Sequence, residues 1–480
     1  MGAGSRRASS RGIVAMLAAC GLASIAASNN ACTALDGLAG GGSDLPVTPD
    51  DGGPRPNPCQ KNLDDDHDNC GACGASCGAV EHCLAAKCAP GCPDHTIFVS
   101  ADGSDNASGC TRATPKRTIG AAMAFLKTVS AQKHEVHVCR GVYAEAVVLD
   151  YPTSILGGYE CSTWQRSPSY GGPTFDGINE SVVTGTPASS PLTIATVQNV
   201  KVDGLTLRVQ DTTTMRVPAV TANRSARAAL SNVKVSGSGG VVSGGTGSVG
   251  LLALGGSAAS TFERCNIDGG TGRTGVGSAS YGIGLFGDAA DVTIKSSAVN
   301  GGNGICEASC STTGVAVSTK GKITLLANRI HGGEAKSASL DPISFAGVRL
   351  SDYASADVQN SFVFAGNTKK AFGATPTALE LRGGGTALVA QSSLAVGPST
   401  TGKGSLLRAS TKAGTFANND PTTAGGLLAN GWKLAPSGLA CALAKGGTSA
   451  VTGLAPLDAF GTMRTDPRAI GAHESEVSCP

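Results

Sequence analysis

Gly314-Val-Ala-Val-Ser-Thr-Lys-Gly-Lys-Ile-Thr-Leu-Leu-Ala-Asn-Arg-Ile330 alternates apolar residues with polar or small ones. A period of two is the signature of strands that bury one face. The apolar runs are only a few residues long, and Gly, Asn and Ser break them up, which is too short for helices. The pattern returns roughly every 32 residues between Ala219 and Val396. Each unit opens on a small residue and an apolar one: Ala219-Val220, Gly250-Leu251, Gly282-Ile283, Gly314-Val315, Gly347-Val348 and Ala378-Leu379. A polar column follows at Asn232, Cys265, Ser297, Asn328, Asn360 and Ser392, preceded by Asn199. Two places further on lies an apolar column of Ile267, Val299, Ile330, Phe362 and Leu394, and a Gly-rich loop closes each unit.

One such unit cannot bury its own apolar face, whereas stacked copies bury a continuous column. Ile283, Val315, Val348 and Leu379 are therefore expected above one another inside a coil of parallel strands. The polar column is expected to form a ladder at a turn, each side chain satisfying backbone groups of the neighbouring rung. The fold class that follows is all-β, a right-handed parallel β-helix. A leucine-rich horseshoe has shorter units with a fixed Leu spacing that is absent here. A propeller needs four strands per blade with aromatic signatures, and this chain is 4% aromatic.

The net charge is +2 with 15% charged residues, so no basic footprint for nucleic acid is present. Seventeen cysteines in 480 residues point to an oxidising compartment. Arg6, Arg7 and Arg11 form a basic head before the apolar run Gly12 to Ser28, an export signal too short to be a membrane span. Ser5-Arg6-Arg7 lacks the apolar residue that a twin-arginine signal carries after the pair. Three processing routes stay open. Leu17-Ala18-Ala19-Cys20 resembles a lipobox with Cys20 as the acylated residue; Cys32 is the alternative; cleavage near Ser28 leaves a soluble product. The expected location is the outer membrane or cell surface as a lipoprotein, or the extracellular space. Any membrane contact runs through that anchor, and the sequence does not speak to oligomeric state.

The organisation read from the chain is a signal peptide at 1–28, a flexible linker at 29–58, a Cys-rich module at 59–95, the β-helix at 96–475 and a tail at 476–480. The module holds Cys59, Cys70, Cys73, Cys77, Cys83, Cys88 and Cys92. Around Asp68-Asn-Cys-Gly-Ala-Cys-Gly-Ala-Ser-Cys77 it resembles the stigma-specific type of Cys-rich module. Cys70-x-x-Cys73 also has zinc-ligand spacing, but an exported chain favours disulfides. Seven is odd, so one partner is expected outside, either Cys32 or a β-helix cysteine. Asp64, Asp66 and Asp68 alternate after Asn62 as in a calcium loop, without the glycine that makes its turn; a solvated acidic turn is the simpler reading. No other cofactor is implied.

From Ile97 come a strand, the loop Asp102-Gly-Ser to Cys110, and a helix expected over Ile119 to Ser130 with Thr118 as N-cap. The strand Val136 to Cys139, a turn Arg140 to Tyr143, the strand Val147 to Leu149, and Ile155-Leu-Gly-Gly-Tyr-Glu-Cys161 follow. This order resembles the opening of pectin-lyase-like β-helix proteins, in particular the domain-of-unknown-function kind found in bacterial (myxobacterial-type) lipoproteins. The resemblance runs from about Ile97 to His473, where Ile470-Gly-Ala-His473 is similar to the closing strand. It implies a helix capping the first rung, and it implies nothing about activity. Further disulfide candidates are Cys110, Cys139 with Cys161, Cys306 with Cys310, and Cys441 with Cys479.

Relatives of that fold include polysaccharide enzymes, so catalytic residues were sought. The clustered aspartates that a polygalacturonase-like site needs are absent from the repeats. Asp288, Asp291, Glu334, Asp341, Asp352 and Asp357 do not share a column with Arg349 or Arg382. Arg329 reads as an outward-facing strand charge and His331 as a surface histidine. No catalytic residue is assigned. Loops at 236–249, 268–281, 300–313, 331–346 and 365–377 recur at one place in successive units and should gather on one side, where solenoids bind. The expectation is an exported, non-catalytic β-helix that binds polysaccharide or a cell-surface protein through that side. The alternatives are a polysaccharide lyase or glycoside hydrolase with an atypical site, and a calcium-dependent adhesion module.

Overall fold

Alternation along each repeat resolves into three parallel sheets wound around one core. The computed structural model describes residues 63–423 except 65, 79–80, 93–94, 130–134, 167–178, 188, 196, 211–216, 224–225, 239–245, 255–259, 271–278, 287–290, 307–310, 319, 338–343, 360, 369–374, 383–385, 391–393, 398–404, 410–414 and 417–421. The chain divides into two compact units, Met1–Asn57 and Pro58–Pro480. The first, with Cys20, Cys32 and the export signal, lies outside the described residues, as do Cys59, Cys310, Cys441, Cys479 and the closing strand near His473.

The first sheet has 11 strands, from Thr96–Val99 to Thr415–Phe416. The second has 10, from Gly141–Tyr143 to Thr422–Thr423, and the third has 9, from Val147–Leu149 to Ser405–Ala409. A typical rung gives each sheet one strand in turn: Asp291–Lys295, Ala298–Asn300, then Ser311–Val317. Every strand pairs in parallel with its equivalent one rung on. Leu251, Ile283, Val315, Val348 and Leu379 stack in register as expected. All are essentially inaccessible to solvent, and each such side chain contributes about 1.5–3 kcal/mol by burial.

Two columns differ from their sequence reading. The rung from Ile330 to Val363 is 33 residues long, with its extra length between Ile330 and Val348 and not at this corner, so Ile330 pairs with Val363 and Arg329 with Phe362. The buried apolar column is therefore Val235, Ile267, Val299, Ile330 and Val363. The same slip moves the polar ladder from Asn360 to Ser361. Ser297 Oγ accepts the Cys265 N–H, Asn328 Oδ1 accepts that of Ser297, and Ser361 Oγ accepts that of Asn328, each at 3.0 Å. Asn232 stands one place earlier, in a column of left-handed residues with Gly204, Arg264, Ser296 and Ala327, φ between +46° and +74°. These bend the chain sharply from the first sheet into the second. Their N–H groups are held by the next rung, for example Arg264 N–H to Lys295 O at 3.0 Å, which offsets the roughly 1–3 kcal/mol of strain in that conformation. Asn199, at φ +63°, belongs to a different corner, just before the strand Val200–Asp203.

The bend from the second sheet into the third is glycine-built. Gly270, Gly302, Gly333 and Gly366 repeat there with φ from +97° to +108°. A Cβ on Gly282 would lie 2.5 Å from Asn300 O and 2.7 Å from Gly314 O, which explains the small residue that opens each repeat. The loops do collect at this corner, and part of them is ordered as strand. Asn303–Cys306, Glu334–Ser337 and Asn367–Thr368 form a three-stranded parallel sheet of their own.

At the N-terminal end, Thr118 Oγ1 accepts the Ala121 N–H at 3.0 Å and starts helix α1, Ile119–Leu126. Glu145 adds a second cap, accepting the N–H groups of Ile119 and Gly120 at 2.8 and 2.7 Å. The helix buries Ile119, Ala122, Met123 and Leu126 in the core. It is shorter than expected because Phe125 O accepts both the N–H and the hydroxyl of Thr128, at 2.9 and 2.7 Å, which tightens the last turn. The edge of the first strand is covered by a loop instead: Phe98 donates to Gly109 O, and Lys116 donates to Phe98 O. The segment Arg140 to Tyr143, read as a turn, supplies the strand Gly141–Tyr143, whose in-register pairing with Ser181–Val183 starts the second sheet.

Four disulfides join described cysteines. Cys70–Cys83 and Cys77–Cys88 staple the hairpin Glu81–Leu84 with Lys87–Pro90, and Cys73 is disulfide-bonded too. Cys92–Cys110 ties the module to the solenoid, so the odd cysteine pairs with a β-helix cysteine. Cys139–Cys161 forms as expected. Cys306 lies on the corner sheet, and Cys265 is a buried free thiol. Among the described residues, no helix is long and apolar enough to cross a membrane.

The close approach at Gly282 gives a direct test. Gly282→Ala should destabilise the fold by roughly 1–3 kcal/mol through overpacking, read as a lowered denaturation midpoint. Thr293→Ala, on the outer face of the first sheet, should change it by no more than about 0.5 kcal/mol.

Candidate functional site

Because the middle residue of each short second-sheet strand points into the core, its two neighbours point out. In-register pairing therefore builds two outward columns, Asn266, Ala298 and Arg329 beside Asp268, Asn300 and His331. Glu334, from the corner sheet, closes one side. Together they line a cleft of about 190 Å³, with six polar side chains among its eight lining residues.

The second column owes its geometry to the glycine bend that follows each of its members. Gly270 N–H donates to Asp268 Oδ1 at 2.7 Å, Gly302 N–H to Asn300 Oδ1 at 3.4 Å, and Gly333 N–H to His331 Nδ1 at 3.1 Å. An Asp, an Asn and a His thus do the same turn-forming job two residues ahead of their own amide. Asn300 Nδ2 donates to Asp268 Oδ2 at 3.3 Å, and His331 Nδ1 stands 3.2 Å from Asn300 Oδ1. The His331 ring lies flat on Phe364, centroids 5.0 Å apart.

Burial sets the charges. It raises the Asp268 carboxyl above its usual range, lowers Arg329, and, with Arg329 nearby, drops His331 to about 3. His331 is 7% exposed, so it is a neutral, buried ring and not a surface histidine. Arg329 does face away from the core, but as a half-buried wall of this cleft.

A second cluster sits across the corner on the outer face of the third sheet. Glu380 is 2% exposed and is gripped by Arg349 Nε at 2.6 Å and Arg382 Nη2 at 2.5 Å. Arg349 also donates to Ser344 Oγ and Ser311 Oγ at 2.9 and 3.3 Å. Burial pushes the Glu380 carboxyl up, but the two guanidiniums outweigh it and hold it below the usual range. Sequence reasoning missed Glu380 while testing other carboxylates against Arg349. The signal was the 31-residue spacing that pairs Arg349 with Glu380 one rung on. Of the carboxylates weighed, Glu334 enters the cleft, Asp291 and Asp357 lie on the first sheet, and Asp352 lies in a turn. Asp288 and Asp341 are outside the described residues.

In the acidic segment, Asp66 accepts the Asp68 N–H at 3.0 Å and the Asn69 side-chain amide at 3.1 Å, which makes it a turn-former. Asp68 is exposed, and Asp64 accepts the Ala86 N–H through its carbonyl at 3.3 Å. The sulfurs of Cys70, Cys77 and Cys88 lie within 4.8 Å of one another. All three belong to disulfides, so none is a thiolate that would bind zinc.

No family model and no curated protein matches the sequence. Solved structures similar to it include pectate lyase Pel9A, at 13% identity and TM-score 0.38, covering 79% of this chain and 96% of that one. A rhamnogalacturonan lyase is similar at 13% identity and TM-score 0.31, covering 68% and 87%. The pectin methylesterase from Aspergillus niger is similar at 14% identity and TM-score 0.25, covering 69% and 87%. With TM-scores below 0.5 these likenesses carry no argument about this chain, and its fold rests on the strand pairing above.

His331 yields a pH test. Its folded-state pKa is depressed from 6.5 to about 3, so the unfolded chain binds the proton first. The contribution is intact above 6.5 and is lost as pH falls from 6.5 towards 3, by up to about 1.4 kcal/mol per pH unit. His331→Asn keeps a turn-forming side chain of the kind Asn300 already provides. The difference in stability between the two proteins should shift towards the variant across that window. A constant difference would contradict the assignment.

Proposed function

We propose that this protein is an exported, non-catalytic β-helix that binds polysaccharide at its glycine-built corner. The carrying observation is the cleft itself: amide, carboxylate and guanidinium groups stand on adjacent rungs, spaced about 4.8 Å apart, at the corner where the loops collect. Sugar hydroxyls both donate and accept, and such a mixed polar lining answers both. Disulfides and the N-terminal signal support export, with Cys20 or Cys32 as the residue that would carry a lipid anchor.

Two features support binding over turnover. Asp268 has both oxygens engaged, by Gly270 and by Asn300, and His331 accepts from Gly333 through Nδ1. In the other cluster Glu380 is clamped between two arginines that hold it ionised, which suits neither a general acid nor a base poised near neutral pH. The test is a panel of polysaccharides, with and without calcium, scored together for retention, reducing ends and unsaturated products. Retention without products is expected, weakened about tenfold or more by Arg329→Ala, since a hydrogen bond to a charged group is worth roughly 1.5–3 kcal/mol. New products would establish a lyase or hydrolase instead. Retention of a protein ligand alone would redirect the corner to protein recognition.

A further inference from the structure

We infer that the second-sheet cleft is built for a neutral glycan and discriminates against uronate chains. The inference rests on the polysaccharide-binding reading above and names the class of chain that the same cleft accepts.

The argument is a charge count on the lining. Among the described residues of the lining, Arg329 is the one cation, and Asp268 and Glu334 are the two carboxylates. His331 is buried on Phe364 and takes a hydrogen bond from Gly333 through Nδ1, so its ring adds no charge. With Asp268 ionised the lining carries net −1, and with Asp268 protonated it carries zero. In neither state do the described lining residues present a surplus positive charge. The next cations along these columns do not supply one. Lys234 pairs with Asn266 one rung away and is answered by Glu180 at 3.7 Å. Arg208 is exposed and two rungs from Asp268, about 10 Å away by strand spacing, where salt screens it.

A uronate unit entering the cleft would be desolvated beside two carboxylates, and like-charge juxtaposition costs several kcal/mol. A neutral sugar meets no such penalty. Its vicinal hydroxyls suit carboxylate oxygens as acceptors and the Asn266 and Asn300 amides in either sense. The in-register pairing repeats those groups at about one strand spacing along the solenoid, close to the length of one pyranose unit.

The test is calorimetric titration of the full chain, at neutral pH and about 0.15 M salt, with neutral hexasaccharides (gluco-, xylo-, manno- and galacto-series) and with hexagalacturonate and hexaguluronate. At least one neutral series should bind, with both uronates at least about tenfold weaker, a difference of 1.4 kcal/mol. Asp268→Asn with Glu334→Gln should close that gap from the uronate side, and thermal melting checks that the variant is folded. If it does not fold, the ratio in the native protein still decides. Uronate binding as tight as the best neutral chain would overturn the inference and leave the glycan-binding reading standing. Binding of no hexasaccharide in either class would overturn both.

Discussion

The backbone approach where the second sheet turns into the third governs most of what this protein presents to solvent. Gly282 and Gly314 sit where any Cβ would press within 3 Å of carbonyl oxygens of the following rung. The bend glycines Gly270, Gly302, Gly333 and Gly366 adopt φ near +100°, which a side chain would resist. A bend this tight leaves the next amide pointing back along the chain, where the residue before the glycines can accept from it. Asp268, Asn300 and His331 all do so, and their shared orientation is what turns three successive strand ends into one wall of a cleft. The polar lining of the cleft is a by-product of turn chemistry.

Much of this was legible in the repeat. The alternation around Gly314 and Ile330, with short apolar runs and glycine punctuation, predicts stacked parallel strands, and the pairing of Ile283, Val315 and Val348 is the consequence. The gathering of loops on one side was legible as well. The register of Phe362 was not, because the extra length of that rung falls in the loop segment between Ile330 and Val348, where strand alternation carries no trace of it, and a 31-residue spacing from Val348 to Leu379 then offsets it. Cys265 in a polar ladder was visible as a position. Its neighbour Asn232 was misplaced because a left-handed residue and a ladder residue are adjacent and equally polar.

The site was less legible than the fold. A catalytic search looks for carboxylates close in type and spacing to known constellations. The groups that matter here are instead distributed one per rung, so their meeting depends on register to the residue. Glu380 and Asp268 show how the surroundings then decide. Both are buried carboxyls, yet two guanidiniums hold the first ionised while the second, given one amide proton from a side chain and one from the backbone, is raised. The first is a structural clamp and the second faces the cleft. Nothing in either residue's local sequence distinguishes those roles.

The most direct measurement is side-chain NMR of the full chain during titration with a neutral oligosaccharide, following the Asn amide, Arg guanidinium and Thr methyl signals. This account requires shifts concentrated at Asn266, Asn300 and Arg329, with the threonine column of the first sheet (Thr261, Thr293 and Thr324) unperturbed. Shifts centred on those threonines, or spread evenly over all three faces, would contradict it and move recognition away from the corner.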